Sequence, residues 1–164
     1  MSKSHHVGMA ELTVIASPDS LITLGLGSCI GLVIYDQAAR VAGMAHIMLP
    51  DSRGAKDKAR EKPGKFADTA IPALIDQVCR RGGVKSRLKA KMAGGSQMFA
   101  LPGAKMDFLA VGSRNTQETT EILKTLGISL IASDTGGNKG RTIEFSTRTW
   151  TLSVRVLGKG TSEI

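Results

Sequence analysis

Cys29 and His46 are the side chains of this 164-residue chain best suited to covalent chemistry. Cys29 ends the run Thr23-Leu24-Gly25-Leu26-Gly27-Ser28-Cys29, a glycine-punctuated turn between two apolar segments, and His46 lies near the end of a following apolar run. A thiol becomes a strong nucleophile once its proton is removed, and a histidine within hydrogen-bond reach is the usual base. Gly25 and Gly27 permit a sharp bend and a close approach of backbone to substrate. A cysteine at such a bend offers one carbonyl both its sulfur and nearby backbone N–H groups, which makes Gly27, Ser28 and Ile30 the candidate oxyanion and substrate residues. That is an arrangement for acyl transfer. The residue types alone leave a plainer account open, because an unpaired cysteine is often a small buried hydrophobe and a lone histidine often packs.

The elements that must hold these residues follow from the pattern. Residues 11–16, 21–26, 30–35 and 41–48 are short, apolar and rich in β-branched side chains, and read as strands. A charged stretch, 51–65, contains Gly54, Pro63 and Gly64 and reads as a mobile loop directly after His46. Helical spacing of Ile71, Leu74, Ile75, Val78 and Cys79 predicts a helix over 68–81 and assigns Cys79 to its packing face. Residues 88–93 form the next strand. Asn115 and Glu118 fit a capping box that would start a second helix, closed by Gly127. Strands return at 128–132, 142–147 and 149–157. Strands outnumber helices, so the pattern predicts an α/β protein of the α+β type, a strand-rich sandwich of mixed sheets with two main helices packed outside. The polar residues 1–9 read as a flexible N-terminal extension to a single domain over 10–164, and His5-His6 as an incidental pair.

Composition narrows the class. A hydrophobic content of 41% and a charged content of 22% are those of a soluble globular domain. Two cysteines make no disulfide framework, and no Cys/His spacing matches a zinc site, so neither a metal nor a cofactor is called for. No apolar stretch reaches the ~18 residues of a membrane helix, and the first residues lack the apolar middle of a signal peptide. The expected location is the cytoplasm, where a thiol stays reduced. The net charge of +8 concentrates in 53–65, with six basic residues against two acidic, and in 80–91, with six basic and none acidic. Such runs suit an acidic partner or a solvated face. With one Trp, one Tyr and four Phe, none interleaved with the basic runs, a base-stacking nucleic-acid surface is not expected.

The motifs Thr-Leu-Gly-Leu-Gly-Ser-Cys at 23–29 and Gly-Met-Ala-His-Ile-Met-Leu-Pro-Asp-Ser at 43–52 resemble the CheD family of chemoreceptor glutamine deamidases. Pro-Gly-Lys-Phe-Ala-Asp-Thr-Ala at 63–70, Ala-Gly-Gly-Ser-Gln-Met-Phe at 93–99, Gly-Ser-Arg-Asn at 112–115 and Asp-Thr-Gly-Gly-Asn at 134–138 continue the resemblance in order. It implies a fold related to deamidating toxin domains and conversion of receptor glutamines to glutamate with release of ammonia. It also implies Cys29 as nucleophile, His46 as general acid/base and Thr23, six residues before the cysteine, as the group orienting the histidine. Sequence position alone would allow Asp36 or Asp51 to orient it, although a turn role suits each. Asn138 and Arg141 are further cleft candidates, Gly94-Gly95 and Gly136-Gly137 are read as bends, and Gln97 as an ordinary polar side chain.

The resemblance further implies partners: the cytoplasmic helices of a chemoreceptor (methyl-accepting chemotaxis protein) and the phosphatase CheC; the chain itself is expected to be a monomer. Two other functions fit the same residues, a non-catalytic adaptor binding receptor and CheC, and a receptor methylester hydrolase or transamidase. One departure from the family pattern is a long connection at 100–111, which would bear on receptor choice if it borders the cleft.

Overall fold

The computed structural model describes residues 1–97 and 110–164. Two five-stranded sheets lie face to face. One has the order β1 (Ser4–His6), β3 (Ser20–Leu26), β8 (Arg141–Ser146), β9 (Thr151–Val156), β10 (Gly160–Glu163). The other has the order β2 (Leu12–Ala16), β5 (Val41–Ile47), β4 (Ile30–Asp36), β6 (Lys89–Gly94), β7 (Ser129–Thr135). Two long helices, α2 (Ala67–Arg80) and α3 (Val111–Thr125), pack on the free face of the second sheet. The architecture is the expected sandwich with helices outside.

The second sheet is therefore a middle layer, and its central strands are buried on both faces. That is why β4 and β5 read as continuous apolar runs rather than alternating ones. Ile30, Leu32 and Ile34 join α2 and α3 in one core, while Val33 and Tyr35 join Leu21, Leu26, Ile143 and Phe145 in the core between the sheets. Tyr35, Phe145 and Trp150 cluster at one end of that inter-sheet core. Cys29 packs at the other end, just before β4 begins.

Four expectations need correction. The first residues are not a flexible extension: Ser4–His6 pair in parallel with Ser20–Ile22, His5 bonds Asp19 at 2.8 Å, and Val7 is buried. A three-residue strand carries too little periodicity to stand out in a sequence. The charged segment 51–65 is not an open loop but holds α1 (Lys56–Glu61) and a 3-10 turn (Pro63–Lys65). It is tied back by Met48 and Leu49, whose N–H groups both donate to Lys65 C=O. The second long helix starts at Val111, so Asn115 lies within it and caps nothing. Finally, β10 adds an exposed edge strand beyond the last expected one. Most of the 100–111 connection lies outside the described residues.

The basic runs also fare differently. In 80–91, Arg80 pairs with Asp76, Arg87 pairs with the buried Asp36, and Lys91 is buried with Nζ donating to the carbonyls of Trp150 and Ile164. That run is largely spent on structure. The 53–65 run stays at the surface, and among the described residues its one carboxylate–guanidinium contact is the Arg53–Asp51 pair.

Candidate active site

The site is assembled where three chain segments meet at one end of the inter-sheet layer. Register places the first pair. Gly31 lies directly opposite His46 in the β4–β5 ladder, and Cys29 precedes Gly31 by two residues. Cys29 sits in the bend just before β4 and packs partly buried against the inter-sheet core, on the face of the second sheet where His46 meets Thr23. That face looks towards the first sheet. The missing side chain of Gly31 is what lets the first sheet close in, because a Cβ there would run into Ile143 and crowd Leu26, with Thr23 Cγ2 already in contact.

Thr23 comes from β3, across the sandwich. In that strand Leu21 and Thr23 point inwards, and an irregularity in the β3–β8 register between Thr23 and Leu26 leaves both Leu24 and Gly25 outside. Gly25 adopts φ +66°, a conformation that favours glycine. The bulge redirects the chain so that Gly27, Ser28 and Cys29 cross from the first sheet to the second.

The Thr23 hydroxyl lies 2.6 Å from the Val7 carbonyl and 2.8 Å from His46 Nδ1. A hydroxyl has one proton, and the carbonyl can only accept it. Thr23 Oγ1 therefore accepts from His46, which fixes the proton on Nδ1 and leaves Nε2 with a free lone pair. Nε2 is buried and has no partner among the described residues. The residue sequence analysis missed here is Val7. Its carbonyl decides the tautomer, yet a backbone acceptor leaves no signature in residue type.

Burial sets the protonation states. It pushes the Cys29 thiol above its ordinary value and holds the His46 imidazole below its own. Both shifts favour the uncharged forms, a thiol and a neutral imidazole. No hydrogen bond joins Cys29 to His46 in this resting state, and such contacts commonly tighten only with substrate. Cys29 as a residue is half-buried.

The turn that carries Cys29 is held by its carbonyls. Gly27 C=O accepts from Ser96 N–H at 2.9 Å and Cys29 C=O from Gly95 N–H at 2.9 Å. Ser28 C=O accepts from Asn115 Nδ2 at 2.9 Å. In a planar trans peptide the N–H points opposite the preceding C=O. Three anchored carbonyls thus aim the N–H groups of Ser28, Cys29 and Ile30 away from β6 and α3. Neither Ser28 N–H nor Cys29 N–H donates to a described residue, whereas Ile30 lies within the ladder between Ile47 and Gly94. Gly94 cannot carry a side chain, since a Cβ would strike Cys29 C=O, and Gly95 is similarly closed by Thr116 and Gly112.

Other candidates fall elsewhere. Arg141 is buried, donating to Gly94 C=O, Ser96 Oγ and Asp134, and so braces the end of β6. Asn138 is exposed and lines a cleft with Lys139, Lys159 and Thr161. Gln97 N–H donates to Gly137 C=O, which ties the β6 end to the 136–137 bend. Asp36 accepts from Ala39 N–H, Val84 N–H and Arg87, and Asp51 from Arg53 N–H, so both are engaged in local turns and neither bonds His46 Nδ1, which Thr23 holds. Cys79 packs partly buried against the helix-side core.

A half-buried thiol, N–H groups with no partner among the described residues, and an anchored imidazole in the same inter-sheet layer form an arrangement able to support cysteine-dependent acyl transfer, here on a two-sheet sandwich. Comparison with known proteins gives the family. Residues 48–156 match the family model CheD, described as CheD chemotactic sensory transduction. A "probable chemoreceptor glutamine deamidase CheD" of Desulforamulus reducens is 49% identical over 152 residues, covering 93% of this chain and 90% of its own. The "chemoreceptor glutamine deamidase CheD" of Halalkalibacterium halodurans is 46% identical over 158 residues, covering 96% of both. The chain belongs to the CheD family. Among solved structures, Neisseria meningitidis protein NMB0706, of the DUF152 family, superposes with a TM-score of 0.50 at 12% identity, covering 82% of this chain and 64% of that one. That likeness is one of fold. No described helix is long and apolar enough to cross a membrane.

Proposed function

We propose that this protein is a chemoreceptor glutamine deamidase in which Cys29 is the nucleophile, His46 the general acid/base and Thr23 the orienting group. The observation that carries the site assignment is the anchored imidazole. Thr23 and the Val7 carbonyl hold the proton on Nδ1, so Nε2 is free to act as a base towards the face that Cys29 shares. The substrate class is supported by the names of the relatives, which cover nearly the whole chain.

Chemistry follows from these states. His46 Nε2 takes the Cys29 proton as Sγ attacks the glutamine carboxamide carbon, and the C=O electrons move onto oxygen. The unpaired N–H groups of Ser28 and Cys29 suit that oxyanion, a contribution of ~3–4 kcal/mol per donor in comparable sites. The imidazolium then returns the proton from Nε2 to the leaving nitrogen, the C–N bond breaks and ammonia departs, leaving a thioester. Water, deprotonated by the same Nε2, attacks the thioester carbon. The C–S bond breaks and the sulfur recovers its proton from the imidazolium. Nδ1–H stays bonded to Thr23 throughout. A hydroxyl stabilises an imidazolium less than a carboxylate does, which suits an enzyme that acts on few protein sites.

The reading entails a cytoplasmic protein whose partner is the receptor's helical signalling region. The surface run 53–65 offers the positive charge to meet an acidic segment, an attraction that weakens with salt. The test is a receptor fragment incubated with wild type or Cys29→Ala. Ammonia release and amide-to-acid mass gain at receptor glutamines are expected with wild type alone. Retained receptor binding with no conversion by either protein would favour the adaptor function, and conversion at a methylester or attachment of an amine would identify the esterase or transamidase.

A further inference from the structure

Asn115 is buried inside α3, remote in sequence from Cys29 and His46, and spends both its amide protons on the two segments that carry them. Nδ2 donates to Ser28 C=O at 2.9 Å and to Met48 C=O at 3.0 Å, while Oδ1 is buried with no partner among the described residues. Two facing carbonyls require the NH₂ group at that position, so the amide orientation follows from its surroundings. A residue selected for packing alone would be apolar, since an unpaired buried oxygen carries a desolvation cost.

The first bond acts on the peptide between Ser28 and Cys29. Holding its C=O aims its N–H, which belongs to Cys29, in the opposite direction. A hydrogen bond to that oxygen also polarises the peptide and makes the N–H a better donor. The second bond ties the same side chain to the end of β5, two residues past His46. One amide therefore sets the direction of an oxyanion donor and links the thiol-bearing turn to the histidine-bearing strand.

From this we infer that Asn115 is a positioning residue for the oxyanion site, acting through the Ser28–Cys29 peptide. The inference rests on the acyl-transfer reading above.

Asn115→Asp and Asn115→Ala test it, the first keeping the shape while facing both carbonyls with an acceptor. Two rates are compared in each variant: deamidation of the receptor fragment, and alkylation of Cys29 by iodoacetamide, which needs the thiolate but no oxyanion donor. The expected result is a kcat lower by about 100-fold with KM within about twofold, as one mispositioned donor would give, and alkylation altered far less. Wild-type kcat in a folded variant overturns the inference. So do parallel losses of deamidation and alkylation, or failure of both variants to fold, which would make Asn115 purely structural. Deamidation that survives Cys29→Ala fails the site reading itself, a different result from a silent Asn115 with Cys29 essential.

Discussion

Thr23 Oγ1 stands 2.8 Å from His46 Nδ1 and can only accept that proton, because its own hydrogen goes to the Val7 carbonyl 2.6 Å away. Thr23→Val removes the acceptor while keeping shape, and Thr23→Ser keeps the hydroxyl. We expect kcat to fall roughly 10- to 100-fold in the valine variant, less than the ~10⁴ lost when a serine protease loses its orienting carboxylate. The serine variant should recover most of the rate. Steady-state kinetics on the receptor fragment reads both.

Val7 makes the N-terminal strand part of the site. Deleting residues 1–8 removes the acceptor of the Thr23 proton, and the freed hydroxyl can then rotate to donate towards Nδ1, which favours the wrong tautomer. The shortened protein is expected to lose at least several-fold in kcat at a temperature where its circular dichroism matches wild type. Addition of Val7→Ala to the full chain should leave activity near normal, because the backbone carbonyl remains.

The pH profile follows from two burial effects of opposite sign. His46 is held below its ordinary value, near 6.5, so the base stays unprotonated until the solution is more acidic than that. Activity should fall only below about pH 6.5, as Nε2 protonates. The thiol is pushed up, so the alkaline limb should lie above the ordinary cysteine range near 8.5. Between them lies a plateau spanning neutrality, with no thiolate ultraviolet absorbance from Cys29. Stability shifts in the same directions. Below about pH 6.5 the unfolded chain binds the histidine proton more readily than the folded one, so stability drops as pH falls; above about 8.5 the unfolded chain releases the thiol proton first, so stability drops as pH rises. Comparing chemical denaturation of wild type and His46→Gln across the acid limb isolates the first effect.

Much of this was legible in residue order. The sandwich, the first long helix and the Cys29 turn followed from apolar periodicity and glycine placement, because those signals are local, whereas the second helix was expected from a cap at Asn115 and starts earlier, at Val111. Thr23 and His46 could be paired only through a family resemblance, since the bond between them crosses two sheets and spans 23 residues. Gly31 and Val7 carried no signal of their own, and Asn115 carried a misleading one, that of a helix cap. The first matters by an absent side chain, the second by a carbonyl, and the third by bonds that α3 reaches only when folded against β4 and β5. The loop expected at 51–65 failed for a related reason: its charges describe a solvated surface, while backbone bonds to Lys65 and the burial of Gly64 against Ala10 fix it in place.

Gly31 offers a test of sheet closure. Alanine there would press on Ile143 and Leu26, overpacking that should cost about 1–3 kcal/mol of stability. Because Thr23 packs in contact with the same position, kcat is expected to fall further than the fraction of unfolded protein explains. The equivalent substitution at Gly54, whose surroundings are open, changes local backbone strain but should leave kcat intact. Thermal melts beside kinetics separate the two.

The sulfur of Cys29 is the atom on which the mechanism turns, and acid-quenched mass spectrometry of enzyme with receptor fragment observes it directly. The expected species is an adduct with the mass of both partners less ammonia, mapped to the peptide containing Cys29 and absent from the one containing Cys79. Cys79→Ser should form it normally, and Cys29→Ser should form no thioester. Receptor glutamines converted at the wild-type rate by Cys29→Ala would contradict the account.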